Sequence, residues 1–295
     1  MTERLSWSAW WLGARPATLG MSLVPVFLGT ALALKQGASF DPVSLLLAML
    51  SVLGIQAGTN FYNDLGDGER GADGPERLGP TRLMGSGLAT AAQVKRAARI
   101  SFGWALAGGI LLALLHGPII LVIGVCSLLA GWAYSHGPQP LSHTPYGEVC
   151  VLLFFGVIAV AGSHFLQSGQ WSWQTLAYGL IPGLHASAVL LVNNWRDRTH
   201  DLRAGRRTLA GTLSETKVPW VYAALLILPL IGLQGLALEM GLPALGVSAW
   251  LMLLPAVVLI RRFRQRTGRE LNLQLKETAL LQLAFCVVQL LALLV

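Results

Sequence analysis

Charge is scarce in this sequence. Only 12% of its 295 residues are Asp, Glu, Lys or Arg, against about a quarter in an ordinary soluble domain. A chain so poor in charge cannot clothe itself in hydrated surface, which argues against a soluble globular class. Cysteine is scarce too. Cys126, Cys150 and Cys286 lie in or beside separate apolar segments without a Cys-x-x-C spacing, which speaks against a disulfide framework or a thiolate zinc site and leaves them as packing residues. The first apolar stretch lacks a small-residue cleavage site, so it reads as a retained span rather than a cleavable leader. The long apolar runs also lack alternation, which rules out lipid-facing strands.

What the chain does have is hydrophobicity, at 54% of residues. Runs long enough to cross a bilayer, about 17 to 25 residues each, recur along nearly the whole length. They fall near Pro16–Leu34, Val43–Phe61, Ile100–His116, Ile119–Tyr134, Val149–Leu166, Trp173–Val192, Val218–Leu236, Leu242–Ile260 and Ala279–Val295. The expected class is all-α and polytopic, with about nine transmembrane helices around a central cavity. One domain spans residues 1–295, as a pseudo-repeat of about four helices (10–135 and 146–262) plus a final helix (276–295). Nine spans place every Lys and Arg except Lys35 on the side of the N-terminus. By the positive-inside rule that side is cytoplasmic, and the setting is a bacterial-type inner membrane. The net charge of +7 then marks a basic face for anionic headgroups and substrates rather than a nucleic-acid partner. Trp10, Trp11, Trp171 and Trp173 read as anchors at the membrane interface.

Polarity concentrates in two connections. One reads NFYNDLGDGERGADGPERLGPTRLMGSG from Asn60, and the other NNWRDRTHDLRAGRRTLAG from Asn193. Asn63 and Asp67 are four apart, as are Asn60 and Asp64; Asn193, Asp197 and Asp201 continue the step. A step of four drifts only about 40° around a helix, so each segment presents an amide and carboxylates as a ladder on one face. The ladders match in position, Asn193 and Asp197 each lying 130 residues after Asn63 and Asp67. A four-helix repeat would bring both to one cavity mouth. Stacked carboxylates at membrane depth are costly unless they share a cation. Oxygen donors without Cys or clustered His suit Mg²⁺, which typically takes one or two carboxylates plus substrate phosphates. Arg70, Arg77, Arg82, Arg196, Arg198, Arg206 and Arg207 surround the ladders, and guanidinium forks suit phosphate oxygens. Acid ladders, arginines and an apolar bundle together describe a site for a diphosphate carried on a lipid.

These residues also carry a resemblance. NDLGDGERGAD from Asn63 and NNWRDRTHD from Asn193 resemble the two aspartate-rich motifs of the UbiA superfamily of intramembrane prenyltransferases. WLGARPATL, GPTRLMGSG, YSHGPQPLSHTPYGE and the GRRTLA after NNWRD resemble its 1,4-dihydroxy-2-naphthoate branch, from about Trp11 to Leu209. The last spans match by hydrophobicity alone. The resemblance implies transfer of a chain from polyprenyl diphosphate to dihydroxynaphthoate, with release of diphosphate and CO₂ to give demethylmenaquinol. It implies Mg²⁺–diphosphate binding by Asn63, Asp67, Asp197 and Asp201, with Asp64 and Asp73 close by. The sequence departs from the superfamily at Gly71, where a third acid is common. It has no Lys after Tyr134, where the benzoate-type branch often has one, and Arg206 stands where the naphthoate branch usually has Lys.

Within this reading Arg82 and Arg196, backed by Arg77 and Arg206, contact the diphosphate, and Asp67, Asp197, Asp201 and Arg82 carry the chemistry with Glu148. Glu148 follows Tyr146–Gly147 into the fifth span, where it either faces the cavity or only caps the helix. Tyr62, Tyr134, Tyr146, Asn193 and Asn194 are the acceptor contacts. His185, about 80° round the helix from Asn193, reads more simply as a packed residue. The alternatives are a related enzyme for 4-hydroxybenzoate, homogentisate or a porphyrin-like acceptor, and a transporter. The transporter is disfavoured because the acids sit at one end and no midspan charges form a crossing route.

Overall fold

The computed structural model describes residues 6–70, 78–79, 81–137 and 139–294. Among them nine helices are long and apolar enough to cross a membrane, and no strand occurs. The chain is a multi-pass membrane protein. Its helices fall into two compact units, Met1–Leu23 with Leu46–His143, and Val24–Leu45 with Thr144–Val295.

The first unit holds the short helix α1 (Trp7–Ala14), the beginning of α2 (Pro16–Lys35), most of α3 (Pro42–Glu69), α4 (Ala91–His116) and α5 (Pro118–Ser135). Ser6 caps α1, and Thr90 with Gln93 forms a capping box on α4. The HGP sequence at residues 116–118 separates two helices: Gly117 takes φ 96° and Pro118 begins α5, the position where a missing N–H costs nothing. Phe61, Tyr62, Leu65, Leu83, Val94 and Ala98 form the core. Trp10, half-buried, stacks edge-on against Phe61 at 6.0 Å and packs against this core. Apolar tails of lipid give helices no hydrophobic reason to associate, and close backbone approach takes over. At Gly54 a Cβ would stand 2.7 Å from the Ser101 carbonyl oxygen of α4.

The second unit contains the rest of α2, the fifth span Gly147–Ser168, α8 (Trp173–Arg203), the one-turn α9 (Leu209–Thr212), α10 (Val218–Glu239), α11 (Pro243–Phe263) and α12 (Leu271–Leu294). The fifth span is composite: α6 (Gly147–Val151), a π-helical stretch Leu152–Ile158, and α7 (Ala159–Ser168). The π stretch lies directly on α8. A Cβ at Gly183 would meet the Leu152 carbonyl oxygen at 2.7 Å, and one at Gly156 would collide with the Gly179 carbonyl. Tyr178, Leu191, Tyr222, Leu226, Leu233 and Phe285 fill the core. Polar side chains bind α10 to α12, with Tyr222 Oη 2.7 Å from Thr278 Oγ1 and Gln274 Nε2 donating to Tyr222 Oη at 2.9 Å. In both units the exposed side chains include many large apolar ones, such as Trp104, Leu114, Ile231 and Leu254, as a lipid-facing surface requires.

Candidate active site

Helix α3 stays helical through its polar end to Glu69, which turns the step-of-four spacing into a real face. Asn63 and Asp67 are joined by one guanidinium: Arg82 Nη2 donates to Asn63 Oδ1 at 2.6 Å and to Asp67 Oδ2 at 3.0 Å. Arg15 Nη2 reaches the same Asn63 oxygen at 3.3 Å, and Arg70 Nη2 lies 3.7 Å from Asp67 Oδ1. Asp67 and Arg82 are both buried, and Arg82 Nη1 has no hydrogen-bond partner among the described residues. A buried guanidinium N–H without an acceptor is costly, and an anion at this corner would supply one.

The neighbouring rungs point elsewhere. Asp64 accepts the backbone N–H groups of Leu83 (2.8 Å) and Met84 (3.0 Å), which fixes the loop that delivers Arg82. Asn60 donates to Ala14 O at 2.8 Å and Thr18 Oγ1 at 2.9 Å, securing the α1–α2 junction that delivers Arg15. Tyr62 is buried between Phe102, at 5.3 Å, and His136, at 5.7 Å, while Tyr134 is half-buried near the end of α5. Asp73 and Arg77 lie outside the described residues.

In the second unit α8 continues to Arg203 and repeats the motif with a different arginine. Arg196 Nη2 donates to Asn193 Oδ1 at 3.0 Å and to Asp197 Oδ2 at 2.6 Å, while its Nε donates to Asp197 Oδ1 at 2.9 Å. Its Nη1 donates to Asn272 Oδ1 at 3.0 Å, from the first turn of α12. Asp201 is buried beside Arg206, whose Nη1 is 3.5 Å from Asp201 Oδ1. Arg198 turns away to Glu215 at 2.8 Å and lies over the Trp195 ring.

Asn194, next to the ladder, faces a separate buried group. Its Nδ2 donates to Glu148 Oε1 at 2.9 Å, and Ser187 Oγ donates to the Glu148 carbonyl at 2.9 Å. Glu148 is buried, and its Oε2 has no partner among the described residues. Glu148 is therefore more than an exposed cap of its helix. Tyr146 is 67% exposed. His185 is buried, with Nδ1 3.1 Å from the Ile181 carbonyl and its ring against Phe285.

Among the described residues no three His, Cys, Asp or Glu side chains gather into a ready-made metal cage. Each ladder instead offers carboxylate and amide oxygens beside guanidinium groups. That donor set fits Mg²⁺, which takes few protein carboxylates and completes its shell with phosphate oxygens and water. Sequence reasoning did not identify Arg15 or Asn272 as members of the site. Arg15 carried a faint signal in the WLGARP stretch, whereas Asn272 is a lone amide in an otherwise unremarked final span.

The chain is also similar to known proteins. Residues 22–284 match the UbiA prenyltransferase family. A 1,4-dihydroxy-2-naphthoate octaprenyltransferase of Mycobacterium tuberculosis is 35% identical over 282 residues, covering 95% of this chain and 94% of the relative. The enzyme of the same name from Escherichia coli is 34% identical over 262 residues, covering 87% and 84%. In fold, the chain superposes on a UbiA homologue from Archaeoglobus fulgidus, solved bound to GPP and Mg²⁺, with a TM-score of 0.73 at 15% identity, covering 97% of this chain and all of that one.

Proposed function

The chain belongs to the UbiA prenyltransferase family, and from that premise we propose that it transfers a polyprenyl chain from polyprenyl diphosphate to 1,4-dihydroxy-2-naphthoate, releasing diphosphate and CO₂ to form demethylmenaquinol. The observation that carries the acceptor is the end-to-end similarity to relatives bearing that activity in their names. Asn63 and Asp67 of the first motif, and Asp197 and Asp201 of the second, would hold Mg²⁺ with the diphosphate. Asp64 and Asp73 support the first set, Asp64 by anchoring the Arg82 loop. Bound there, Mg²⁺ neutralises charge on the departing diphosphate.

The chain's own residues do the remainder. Arg82 and Arg196 donate to phosphate oxygens as charge develops, with Arg77 and Arg206 adding positive potential. The allylic C–O bond breaks, the carboxyl-bearing ring carbon of the acceptor bonds to the freed allylic carbon, and loss of the carboxyl group from that carbon as CO₂ restores aromaticity. Water would intercept an allylic cation, and the apolar helices keep it out. Glu148 is held by Asn194 with one oxygen and, with the other, takes a hydroxyl proton from the acceptor as the ring attacks and returns it to that oxygen once CO₂ has left. Asn193, Tyr62, Tyr134 and Tyr146 position the acceptor. The polar connections face the cytoplasm, where the basic residues cluster.

The test is diphosphate release by purified protein given Mg²⁺, a polyprenyl diphosphate and each of several aromatic acids. Dihydroxynaphthoate is expected to support turnover at least tenfold above the others, as an order-of-magnitude expectation for a site with matched polar contacts. Preference for 4-hydroxybenzoate or homogentisate overturns the acceptor assignment, and no release with any acceptor overturns the reading.

A further inference from the structure

The basic segment RRFRQR, from Arg261 at the end of α11, has no part in the proposed chemistry. Two of its arginines are neutralised within the chain: Arg262 and Arg266 lie 2.9 Å and 2.6 Å from the Glu277 carboxylate. Arg261 and Arg264 are exposed and have no acidic partner among the described residues. Arg264 instead lies over the Trp220 ring, 4.7 Å from its centroid. Trp220 stands in the first turn of α10 and is 67% exposed, with exposed Lys217 at the N-cap of that helix. A second arginine-on-tryptophan pair, Arg198 over Trp195 at 5.1 Å, has its own acid in Glu215 at 2.8 Å. One stack is matched within the chain and the other is not.

We propose that Arg261 and Arg264, with Trp220 as their platform and Lys217 at the same helix end, bind the headgroup of an anionic diacyl phospholipid whose chains lie along α10 and α11. A guanidinium held over an indole keeps its in-plane N–H groups for an acceptor, and phosphate oxygens match that fork. Helix C-termini favour basic residues in their last turn, which accounts for charge on α11 but not for its contact with a tryptophan of α10. The surface leading away from the stack is apolar. Trp220, Leu228 and Ile231 are exposed along α10, and Trp250, Leu254 and Val258 lead along α11 to Arg261. Trp220 and Ile231 are eleven residues apart, as are Trp250 and Arg261. That is about 16 Å of helix, roughly the hydrocarbon depth of one leaflet. A free anion has no use for these stripes, whereas an acyl lipid meets both them and the arginines. Binding there requires only that the chain cross a membrane, and it is independent of the acceptor.

Native mass spectrometry of the full-length protein in detergent, titrated with dioleoylphosphatidylglycerol or dioleoylphosphatidylcholine, tests this with no turnover involved. The wild type should retain its first phosphatidylglycerol at least about tenfold more tightly than phosphatidylcholine, as expected for two basic side chains at an anionic headgroup. The Arg261→Gln, Arg264→Gln double variant should lose that preference. Trp220→Leu keeps an apolar surface but removes the ring, and should weaken the preference by about twofold to fivefold. Arg198→Gln, at the stack with its own acid, should bind both lipids as the wild type does, and excess inorganic phosphate should not displace the lipid. Equal retention of the two lipids by the wild type overturns the site, as does an undiminished preference in the double variant or an equal loss in Arg198→Gln. Displacement by inorganic phosphate assigns the arginines to a free anion and overturns it too. The altered side chains are exposed, so melting temperature in lipid-free detergent should be unchanged. If the double variant does not fold, Arg264→Gln alone decides, with an expected loss of about threefold to fivefold.

Discussion

Replacing Asp67 by Asn removes one charge at nearly constant size, and two consequences can be separated. The first is catalytic. Losing a carboxylate from a water-poor diphosphate site should lower turnover at least about a hundredfold, which corresponds to roughly 2.7 kcal/mol of transition-state stabilisation. The second is structural. From sequence, a residue at a polar helix end is expected to be dispensable for folding, but Asp67 is buried and paired with buried Arg82 at 3.0 Å. Removing one partner of such a pair costs about 3–5 kcal/mol, chiefly because the other charge is stranded. Arg82→Gln should cost less, because Asp67 retains Arg70 at 3.7 Å. The double variant strands no buried guanidinium, so it should be more stable than Asp67→Asn alone while remaining inactive. Melting temperature in detergent and Mg²⁺-dependent turnover, measured on all four proteins, complete the cycle. Near-normal turnover in Asp67→Asn, or a double variant no more stable than that single one, would refute the reasoning.

Asn194→Leu strips Glu148 Oε1 of its donor; an unsatisfied buried acceptor costs about 1–3 kcal/mol, so turnover should fall roughly fivefold to a hundredfold, and an unchanged rate removes Glu148 from the mechanism. Gly183→Ala drives a methyl into the Leu152 carbonyl of the π stretch and should destabilise by about 1–3 kcal/mol. Gly162→Ala, in α7, meets nothing within 4 Å, and an equal loss of melting temperature in the two contradicts this packing. Asp41→Asn keeps the side-chain oxygen that accepts the Val43 and Ser44 N–H groups, and Asn caps helices about as well as Asp, so turnover should match the wild type; a large fall implicates Asp41 in the site. Single cysteines placed in the 193–217 connection of a chain otherwise free of Cys should resist an impermeant thiol reagent in intact cells, and ready labelling from outside reverses the orientation.

The spans were legible because lipid solvation leaves an unmistakable mark: a helix end can shift by a few residues without altering the apolar run. The ladders were legible for a related reason, since α3 and α8 remain helical through Glu69 and Arg203 and spacing translates directly into a face. Spacing alone could not say which polar residue on that face serves the site. Asn60 and Asp64 share the step of four, yet their hydrogen bonds go to the α1–α2 junction and the Arg82 loop. Those partners are set by chain segments 19 to 46 residues away, a separation that periodicity does not encode. Asn272 was hidden likewise, its meaning arising only when α12 meets the end of α8. The π stretch at Leu152–Ile158 lies against α8 through glycines, and its sequence looks like any apolar helix.

The central claim is decarboxylating prenyl transfer, and isotope stoichiometry tests it most directly. Purified protein is given Mg²⁺, a polyprenyl diphosphate and dihydroxynaphthoate labelled at the carboxyl carbon, and trapped CO₂ is counted against released diphosphate. One labelled CO₂ is expected for each diphosphate, with no label in the prenylated product. Diphosphate release with a prenylated product that keeps its labelled carboxylate would contradict it.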